Sequence, residues 1–320
     1  MHLLIGTDEA GYGPNLGPLV VAVSAWQTPK SVAPEKLYEH LATVIAEEEC
    51  DDDDLRLAIA DSKALYSPGS GLAAIERGVL TCLALLGQQP TSTVGLWTAL
   101  AAHCQTDRTA LAWHAEEEEA VPLDACSVQI GKCLQHCSAG MKQAGVELKS
   151  LRAAAVFPEM FNAEVDRHEN KATVLSLVTL ELLKDVLDEH AELPATVTCD
   201  KHGGRDRYAH LIQHVFGDEP VRTVRESKAE SVYRLNYAGR PLELRFLAKG
   251  ERMLAAALAS MTAKYLREVS LRPFNRFWQS HVPGLKATAG YPNDAKRFKS
   301  QILAVQQKLG IDDRVLWRNR

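Results

Sequence analysis

Two adjacent carboxylates, Asp8 and Glu9, follow the apolar residues 3–5 and precede a segment rich in Gly and Pro, residues 10–18. This pattern is typical of a buried strand that ends in a tight turn. Burying two carboxylates without a counter-charge costs several kcal/mol, so a cation or a set of hydrogen-bond donors is expected beside them. Magnesium suits such a place because it takes oxygen ligands and needs few protein carboxylates besides water and substrate phosphate. In the alternative interpretation, Asp8 caps the turn and Glu9 is solvated.

Three further acids, Asp61, Asp200 and Glu251, stand at predicted strand or loop ends and could complete a cation site. Asp200 closes the β-branched segment ATVTCD, residues 195–200, and the flexible residues 201–205 follow it. Active sites of open α/β sheets often lie where strands end in this way. The sequence therefore predicts an acidic site at one edge of a sheet.

Hydrophobic periodicity predicts the elements that carry these acids. Strands are expected at residues 3–5, 18–26, 151–157, 195–200 and 242–248, and helices at 34–46, 71–86, 171–187, 252–268 and 295–309. Residues 87–149 contain no clear strand, and we interpret them as a mainly helical insertion between the early helix and the third strand. The expected organisation is an α/β catalytic domain, residues 1–86 and 150–320, interrupted by this insertion.

Composition limits the class of protein. The 320 residues are 46% hydrophobic and 24% charged, which is ordinary for a globular chain and excludes a disordered or fibrous one. No apolar run approaches the roughly 20 residues of a membrane span. The opening residues show no export signal, and seven scattered cysteines do not suggest a disulfide framework. We therefore expect a cytoplasmic protein without a membrane partner.

Charge is distributed unevenly. Residues 1–160 hold 10 Lys and Arg against 21 Asp and Glu, whereas residues 161–320 hold 26 against 20. Residues 264–320 alone contain 12 basic and 4 acidic residues. A polyanion, if one binds, is expected at this last third, although an uneven solvated surface explains the charges equally well.

Several segments together resemble one enzyme family. DEAGYGPNLGPLVVA, residues 8–22, closely resembles the opening motif of the ribonuclease HII family, DEAGRGPxxGPVVxA. Further segments that resemble the family follow in its order: DSKAL at 61–65, NKAT at 170–173, Asp200, KGE at 249–251, ASMTAK at 259–264 and AGY at 289–291. The order and spacing of these segments are more specific than any one of them.

The resemblance implies a ribonuclease H-like fold, with a mixed five-stranded sheet flanked by helices. It also implies four acids, Asp8, Glu9, Asp200 and Glu251, that act as catalytic residues and bind Mg²⁺ or Mn²⁺. In the two-metal scheme, one ion helps form the attacking hydroxide and the other stabilises the leaving oxygen. The family cleaves the RNA strand of RNA–DNA hybrids and duplexes with embedded ribonucleotides, leaving 3′-hydroxyl and 5′-phosphate ends.

The resemblance further implies a nucleic-acid-binding surface. By this resemblance, the loop at residues 11–13 would approach the ribonucleotide through its backbone. Tyr291, which matches a tyrosine of the family, would pack on the sugar at the RNA–DNA junction. Ser260, Lys264 and Arg267 also share a helical face that could meet phosphates, although a solvated face is the commoner cause of such a stripe. In the alternative interpretation, Tyr291 lies at the rim of the hydrophobic core and has no role in binding. The substrate-binding candidates are Gly11, Tyr12, Gly13, Ser260, Lys264 and Tyr291.

Three residues depart from the family pattern. Glu251 stands where the family has Asp, Tyr12 replaces an Arg that would contact phosphate, and Lys201 replaces a Gly. These departures leave open an alternative function, a nucleic-acid-binding or regulatory protein on the same fold with altered or lost cleavage. A different nuclease specificity is a third hypothesis.

The insertion offers a weaker metal hypothesis. Cys126, Cys133 and Cys137, with His136, could bind zinc, but the spacing matches no paired Cys-x-x-Cys site, and packing of thiols in a core is the favoured interpretation. The acidic runs at residues 47–54 and 116–119 are interpreted as solubilising surface that lies away from a nucleic-acid cleft or covers it as a gate.

Overall fold

The structure is a computed structural model that describes residues 1–51, 53–66, 71–115, 118–217 and 219–319. Three short 3-10 helices lie at Pro34–Lys36, Ala102–Cys104 and Gly250–Arg252. The strands within the described residues are β1 (His2–Ala10), β2 (Leu19–Thr28), β3 (Ile45–Ala46), β4 (Leu57–Ala58), β5 (Glu147–Val156), β6 (Ala195–Asp200), β7 (Arg222–Glu226), β8 (Glu230–Tyr237) and β9 (Arg240–Leu247). The helices are α1 (Leu37–His40), α2 (Ser62–Leu65), α3 (Ala73–Leu85), α4 (Thr93–Ala101), α5 (Gln105–Thr109), α6 (Ser127–Ala144), α7 (Pro158–His168), α8 (Lys171–Glu189), α9 (Ala209–Phe216), α10 (Leu254–His281), α11 (Pro292–Leu309) and α12 (Asp313–Leu316).

The main sheet is mixed and has the strand order β5-β2-β1-β6-β9-β8-β7. The central strands β1, β6 and β9 are parallel, and the remaining neighbours are antiparallel. The predicted mixed α/β sheet is confirmed, but the expected count of five strands is wrong because β8 and β7 extend one edge to make seven. Strand β7 is exposed along its whole length, so it lacks the buried apolar alternation by which strands are predicted.

Helices cover both faces of this sheet. Leu3 and Ile5 of β1 point into a core shared with α8 and α9, whereas Leu4 points into the opposite core with α10 and α3. Strand β2 is buried almost throughout, as expected for a strand that is covered on both faces. The sheet therefore has helical layers on both faces, and these layers leave the ends of its strands uncovered for a functional site.

Helix α10 crosses β1 and β2 at close range. A Cβ at Gly6 would overlap the backbone of Ala255 and Ala256, so only glycine allows this approach. Ser24 Oγ also donates to the Ala255 carbonyl over 2.7 Å. The helix runs through Pro273 to His281, so the expectation that it ends at residue 268 is wrong. Its buried apolar face stabilises it beyond the proline, which local propensity does not anticipate.

Residues 34–46 also differ from the expected single helix, because they form a 3-10 turn, the short helix α1 and strand β3. Residues 87–149 contain α4, α5 and α6, and their last three residues begin β5. Helix α6 packs on α3. None of the described helices combines the length and apolar character that a membrane span requires.

A buried carboxylate, Glu76 on α3, fastens this region to the core. It accepts hydrogen bonds from the backbone N–H groups of Leu123, Asp124 and Ala125, each over 2.7 Å, and from Tyr265 Oη over 2.5 Å. Four donors satisfy a side chain that has no exposed surface. The apolar periodicity of α3 gives no sign of this role, which depends on the distant segment 123–125.

Candidate active site

Two of the predicted acids lie side by side at the ends of neighbouring parallel strands. Thr7 of β1 pairs with Cys199 of β6, so Asp8 and Asp200 occupy the next positions in the same register. Glu9 follows Asp8 on β1. Each of these three acids keeps part of its surface in solvent. The parallel arrangement thus brings residues from distant parts of the sequence to one accessible edge.

Glu251 joins this edge through the turn that follows β9. The backbone N–H of Gly250 donates to Asp200 Oδ1 over 2.9 Å, which fixes the turn against the end of β6. A Cβ at Gly250 would lie 2.9 Å from Asp200 N and Cys199 O, so this close packing requires glycine. The structure therefore brings all four predicted acids to the same edge of the sheet.

The acids carry the electrostatic signature of crowded carboxylates. Burial raises the pKa of Asp8 to about 7, and the charges of Asp200 and Glu251 act in the same direction, although hydrogen bonds from Ser260 and the Glu9 N–H oppose them. The pKa of Glu9 is raised well above its usual value by burial and then by Asp8 and Asp200. The raised pKa values therefore come mainly from burial, and the neighbouring carboxylates add to the effect.

The same burial and neighbouring charge act on the fourth acid. Burial raises the pKa of Glu251, with Asp200 and Asp61 adding to the effect and Lys63 opposing it. Asp61 itself caps α2, where its Oδ1 accepts from the Lys63 N–H over 3.1 Å. Asp61 thus influences the cluster by charge while its carboxylate is engaged in a helix cap.

The donor set matches the chemistry of a hard divalent cation. Among the described residues, no three His, Cys, Asp or Glu side chains already converge as ligands of one ion. The four acids nevertheless present only carboxylate oxygens, in a partly buried place where their charges repel one another. Mg²⁺ and Mn²⁺ prefer such oxygen donors, and a cation would relieve the repulsion. In donor type and charge, the residues fit the cation that the resemblance implies.

The glycine-rich loop, defined here as residues 11–17, lies next to these acids because it continues β1. Gly11 has a φ of 89°, and a Cβ there would lie 2.5 Å from Pro18 O and 2.7 Å from Arg267 Nε. Glycine is thus required by the packing on the inner side of the loop. Gly13 is exposed, and a Cβ there would meet nothing within 4 Å.

Tyr291 stands beside the glycine-rich loop. The preceding carbonyl, that of Gly290, accepts hydrogen bonds from Asn15 N over 2.8 Å and from Leu16 N over 3.3 Å. The Tyr291 side chain remains 53% exposed at the start of α11. The Tyr291 ring therefore lies at the surface beside the loop and does not fill the core.

Tyr12 occupies a different environment from that of an exposed arginine. Its ring packs partly against the core, and Lys171 Nζ lies 4.5 Å above the ring centre. A Cβ at Gly203 would overlap the Tyr12 hydroxyl. The side chain is therefore held between β1 and the segment after Asp200, which links the two halves of the acidic site.

Two other candidate substrate contacts are largely engaged within the protein. Ser260 is 4% exposed, its Oγ shares a hydrogen bond with Ser62 Oγ over 3.1 Å, and its side chain also forms a hydrogen bond with Asp8. Lys264 Nζ pairs with Glu268 Oε1 over 2.6 Å and lies 4.2 Å from the centre of the Tyr66 ring. Ser260 thus supports Asp8 from α10, and the charge of Lys264 is balanced by Glu268.

Sequence reasoning assigned no role to Lys63 or Arg318 and placed Arg267 only on a helical face that could meet phosphates, yet the structure places all three around the site. Lys63 is one of them: partial burial acts to lower its pKa, but Asp61, Asp8, Glu251 and Asp200 raise it. Lys63 lies in DSKAL, residues 61–65, so the resemblance of this segment to the family could have indicated a role for it. Arg267 and Arg318 are the others, and both are buried beneath the glycine-rich loop. Their distance from the loop in sequence gave no signal of this contact.

Lys201, the third departure from the family pattern, is directed away from the acids. Its Nζ donates to Asp206 Oδ1 and to Ser227 O, each over 2.6 Å. The lysine therefore stabilises the segment that follows β6 and adds no free cation to the acidic cluster.

The candidate zinc ligands do not assemble around one point within the described residues. Cys133 and Cys137 are buried, Cys126 is exposed, and His136 Nε2 lies 3.0 Å from Thr43 O. Of the two acidic runs, Asp52, Glu116 and Glu117 lie outside the described residues. Glu119 pairs with Arg272 over 3.3 Å and with Arg276 over 2.6 Å, so this residue is part of the attachment to α10.

Comparison with known proteins gives structural matches only. No protein-family model and no curated protein matches the sequence. Among solved structures, the ribonuclease H2 from Pyrococcus horikoshii OT3 matches with 17% identity and a TM-score of 0.46, over 98% of this chain and 92% of that chain. The predicted resemblance to ribonucleases H is confirmed in this respect. The chain is similar to ribonucleases H in these matches, and its own fold is a mixed seven-stranded sheet flanked by helices.

Two further ribonucleases H match this chain. Bst-RNase HIII in complex with Mn²⁺ is 15% identical with a TM-score of 0.47, and the match covers 99% of this chain and 66% of that chain. RNase HII in the PCNA:RNase HII complex from Archaeoglobus fulgidus is 14% identical with a TM-score of 0.42, over 99% and 94%. This chain thus spans about two thirds of the length of Bst-RNase HIII.

Proposed function

We propose that the chain is a metal-dependent endoribonuclease that cleaves the RNA strand of RNA–DNA hybrids or embedded ribonucleotides in duplex DNA. The observation that carries this proposal is the shared register of Asp8 and Asp200, which gathers a partly buried acidic cluster at one edge of the sheet. The glycine-rich loop and the exposed ring of Tyr291 lie beside it. A catalytic group and a recognition surface are therefore adjacent.

In this proposal Asp8, Glu9, Asp200 and Glu251 hold Mg²⁺ or Mn²⁺. The bound cation would supply an activated water and stabilise negative charge on the scissile phosphate. Asp8 must give up its proton to bind a cation, because burial raises its pKa to about 7. The hydrogen bond from Ser260 favours the ionised form of Asp8 and so prepares it as a ligand.

The recognition surface would combine backbone and aromatic contacts. Gly13 is exposed and open above, so a sugar-phosphate backbone could approach the glycine-rich loop closely. Tyr291 offers a ring face to a sugar or base at the RNA–DNA junction. The 2′-hydroxyl is the group that distinguishes a ribonucleotide at this position. The basic residues of 264–320 supply the charge that favours a nucleic-acid partner.

A second candidate function is nucleic-acid binding or regulation without cleavage. Glu251 in place of the family Asp, and the absence of converging ligands among the described residues, favour it. The two candidates are separated by incubating the chain with an RNA–DNA hybrid and with a duplex that carries one ribonucleotide, in Mg²⁺, Mn²⁺ or EDTA. We expect ion-dependent cleavage of at least one substrate. Binding without cleavage under both ions would support the second candidate.

A further inference from the structure

Arg318 reaches the glycine-rich loop from beneath. Its Nη2 donates to the carbonyls of Gly11 and Pro14, and its side chain is 1% exposed. The backbone is tied at the same place, since Arg318 N donates to Asn15 O over 2.8 Å and Asn15 Nδ2 donates to Arg318 O over 3.2 Å. The segment after α12 therefore holds the loop by four hydrogen bonds.

Within the described residues, no acidic side chain pairs with Arg318. Its acceptors are neutral carbonyls, its guanidinium lies 4.8 Å from the centre of the Phe161 ring, and its Nε and Nη1 meet no acceptor in the part of the chain that the structure describes. Burial, with the nearby charge of Arg267, lowers the pKa of Arg318 to about 9. A buried cation without a counter-ion costs several kcal/mol. Such a departure from good packing is expected where a residue serves function.

The peptide geometry shows what this cation does to the loop. In a trans peptide the C=O and the following N–H point in opposite directions. Because the Gly11 carbonyl points inward to Arg318, the Tyr12 N–H points outward. Neither the Tyr12 N–H nor the Gly13 N–H has a hydrogen-bond acceptor within the described ranges. A charged donor on the carbonyl also polarises the peptide and strengthens its N–H as a donor.

The loop itself contains no charged side chain, since residues 10–18 read AGYGPNLGP. We propose that Arg318 is a positioning residue of the nucleic-acid site, which turns the Tyr12 N–H outward to a phosphate and places a positive field beneath an uncharged loop. This inference rests on the proposed function for its ligand, a nucleic-acid phosphate. Arg267 assists from the other side, where its Nη2 donates to Leu16 O over 3.3 Å and to Ala289 O over 2.9 Å.

The test compares Arg318→Met and Arg318→Lys with a matched control, Arg314→Met. Arg314 lies nearby in α12, but its side chain is 56% exposed and pairs with Asp166 over 2.8 Å at the surface. Hydrogen–deuterium exchange of peptides that cover residues 10–18 reports how firmly the loop is held. Affinity for a ribonucleotide-containing duplex, measured by fluorescence anisotropy in an Asp200→Asn background, reports recognition without cleavage.

We expect faster loop exchange and about tenfold weaker duplex binding in Arg318→Met, with neither change in Arg314→Met. Arg318→Lys keeps the charge but cannot bridge two carbonyls, so intermediate values are expected. Circular dichroism checks that each variant is folded. If Arg318→Met does not fold, the comparison is made with Arg318→Lys alone.

Two outcomes overturn the inference. Unchanged exchange of the loop would show that Arg318 does not hold it, and faster exchange with unchanged affinity would show that holding it does not serve recognition. A wild-type chain that binds no duplex would refute the proposed function instead. Faster exchange in Arg318→Met would then still support the role of Arg318 in ordering the loop.

Discussion

Asp8 and Asp200 lie one residue beyond a paired position, Thr7 with Cys199, on two parallel strands that end at the same edge. This relationship places two carboxylates side by side at the ends of β1 and β6. The adjacent Glu9 and the Glu251 turn complete a cluster whose charges are unfavourable together. The predictions below follow from that unfavourable arrangement and from the loop beside it.

Removing either Asp8 or Asp200 as a carboxylate should lower the cleavage rate and raise the thermal stability of the metal-free protein. Asp8→Asn and Asp200→Asn should each lower cleavage by about a hundredfold or more, because a ligand to the catalytic cation is lost. In EDTA the same variants should unfold at a temperature about 2 °C or more above wild type, because repulsion is relieved. Thermal unfolding and initial cleavage rates check both. The exposed Asp166→Asn serves as the control, and wild-type activity in either site variant would contradict the assignment.

The metal-free protein should lose stability as the pH rises. The folded-state pKa of Asp8 is about 7, above the ordinary value of 3.8. Between these values the folded chain keeps a proton that the unfolded chain has released, so the free energy of unfolding falls from about pH 4 to pH 7. Urea unfolding in EDTA at several pH values measures this slope. Asp8→Asn should make it shallower, and an identical slope in both proteins would show that Asp8 does not titrate there.

Cleavage should tolerate a shorter carboxylate at position 251 better than the loss of its negative charge. Glu251 lies in the turn that Gly250 fixes against Asp200, so a shorter carboxylate can still reach the cluster. Glu251→Asp should therefore keep measurable cleavage, whereas Glu251→Gln should lose most of it. Rates in Mg²⁺ and Mn²⁺ for the two variants make the comparison. Equal rates in Glu251→Gln and wild type would remove this residue from the site.

Tyr291 should contribute most to cleavage of a substrate that has a single RNA–DNA junction. Its exposed ring stands beside the glycine-rich loop, so Tyr291→Ala should reduce cleavage at a single embedded ribonucleotide more than cleavage of a continuous hybrid. We expect a difference of about tenfold, the value of one stacking contact. The ratio of kcat/KM for the two substrates is the readout. Equal losses on both would assign Tyr291 a structural role.

Much of the central fold could be predicted because its elements carry strong local patterns. Strand β6 was expected at its observed bounds, and helix α8 differs only by two residues at its end. Strand β7 was missed because it is an exposed edge of the sheet, which needs little apolar alternation. The continuation of α10 through Pro273 depends on buried packing along the helix, which no local rule contains.

The candidate site could be predicted in part for a similar reason. Asp8, Glu9 and Asp200 stand at strand ends, where residue type and position together indicate chemistry. Glu76 and Arg318 were missed because their roles depend on backbone groups far away in sequence: the N–H groups of 123–125 and the carbonyls of the glycine-rich loop. Such contacts arise only when the chain is folded.

The central claim is that the acidic cluster cleaves next to a ribose and needs a divalent cation. The most direct measurement compares a DNA duplex that carries one ribonucleotide with the same duplex in all-deoxy form, using wild type and Asp200→Asn in Mn²⁺ and resolving the products on a denaturing gel. We predict one cut at the ribonucleotide, with 3′-hydroxyl and 5′-phosphate ends, in wild type alone. Cleavage of the all-deoxy duplex, cleavage by Asp200→Asn at the wild-type rate, or no cleavage by wild type would contradict the claim.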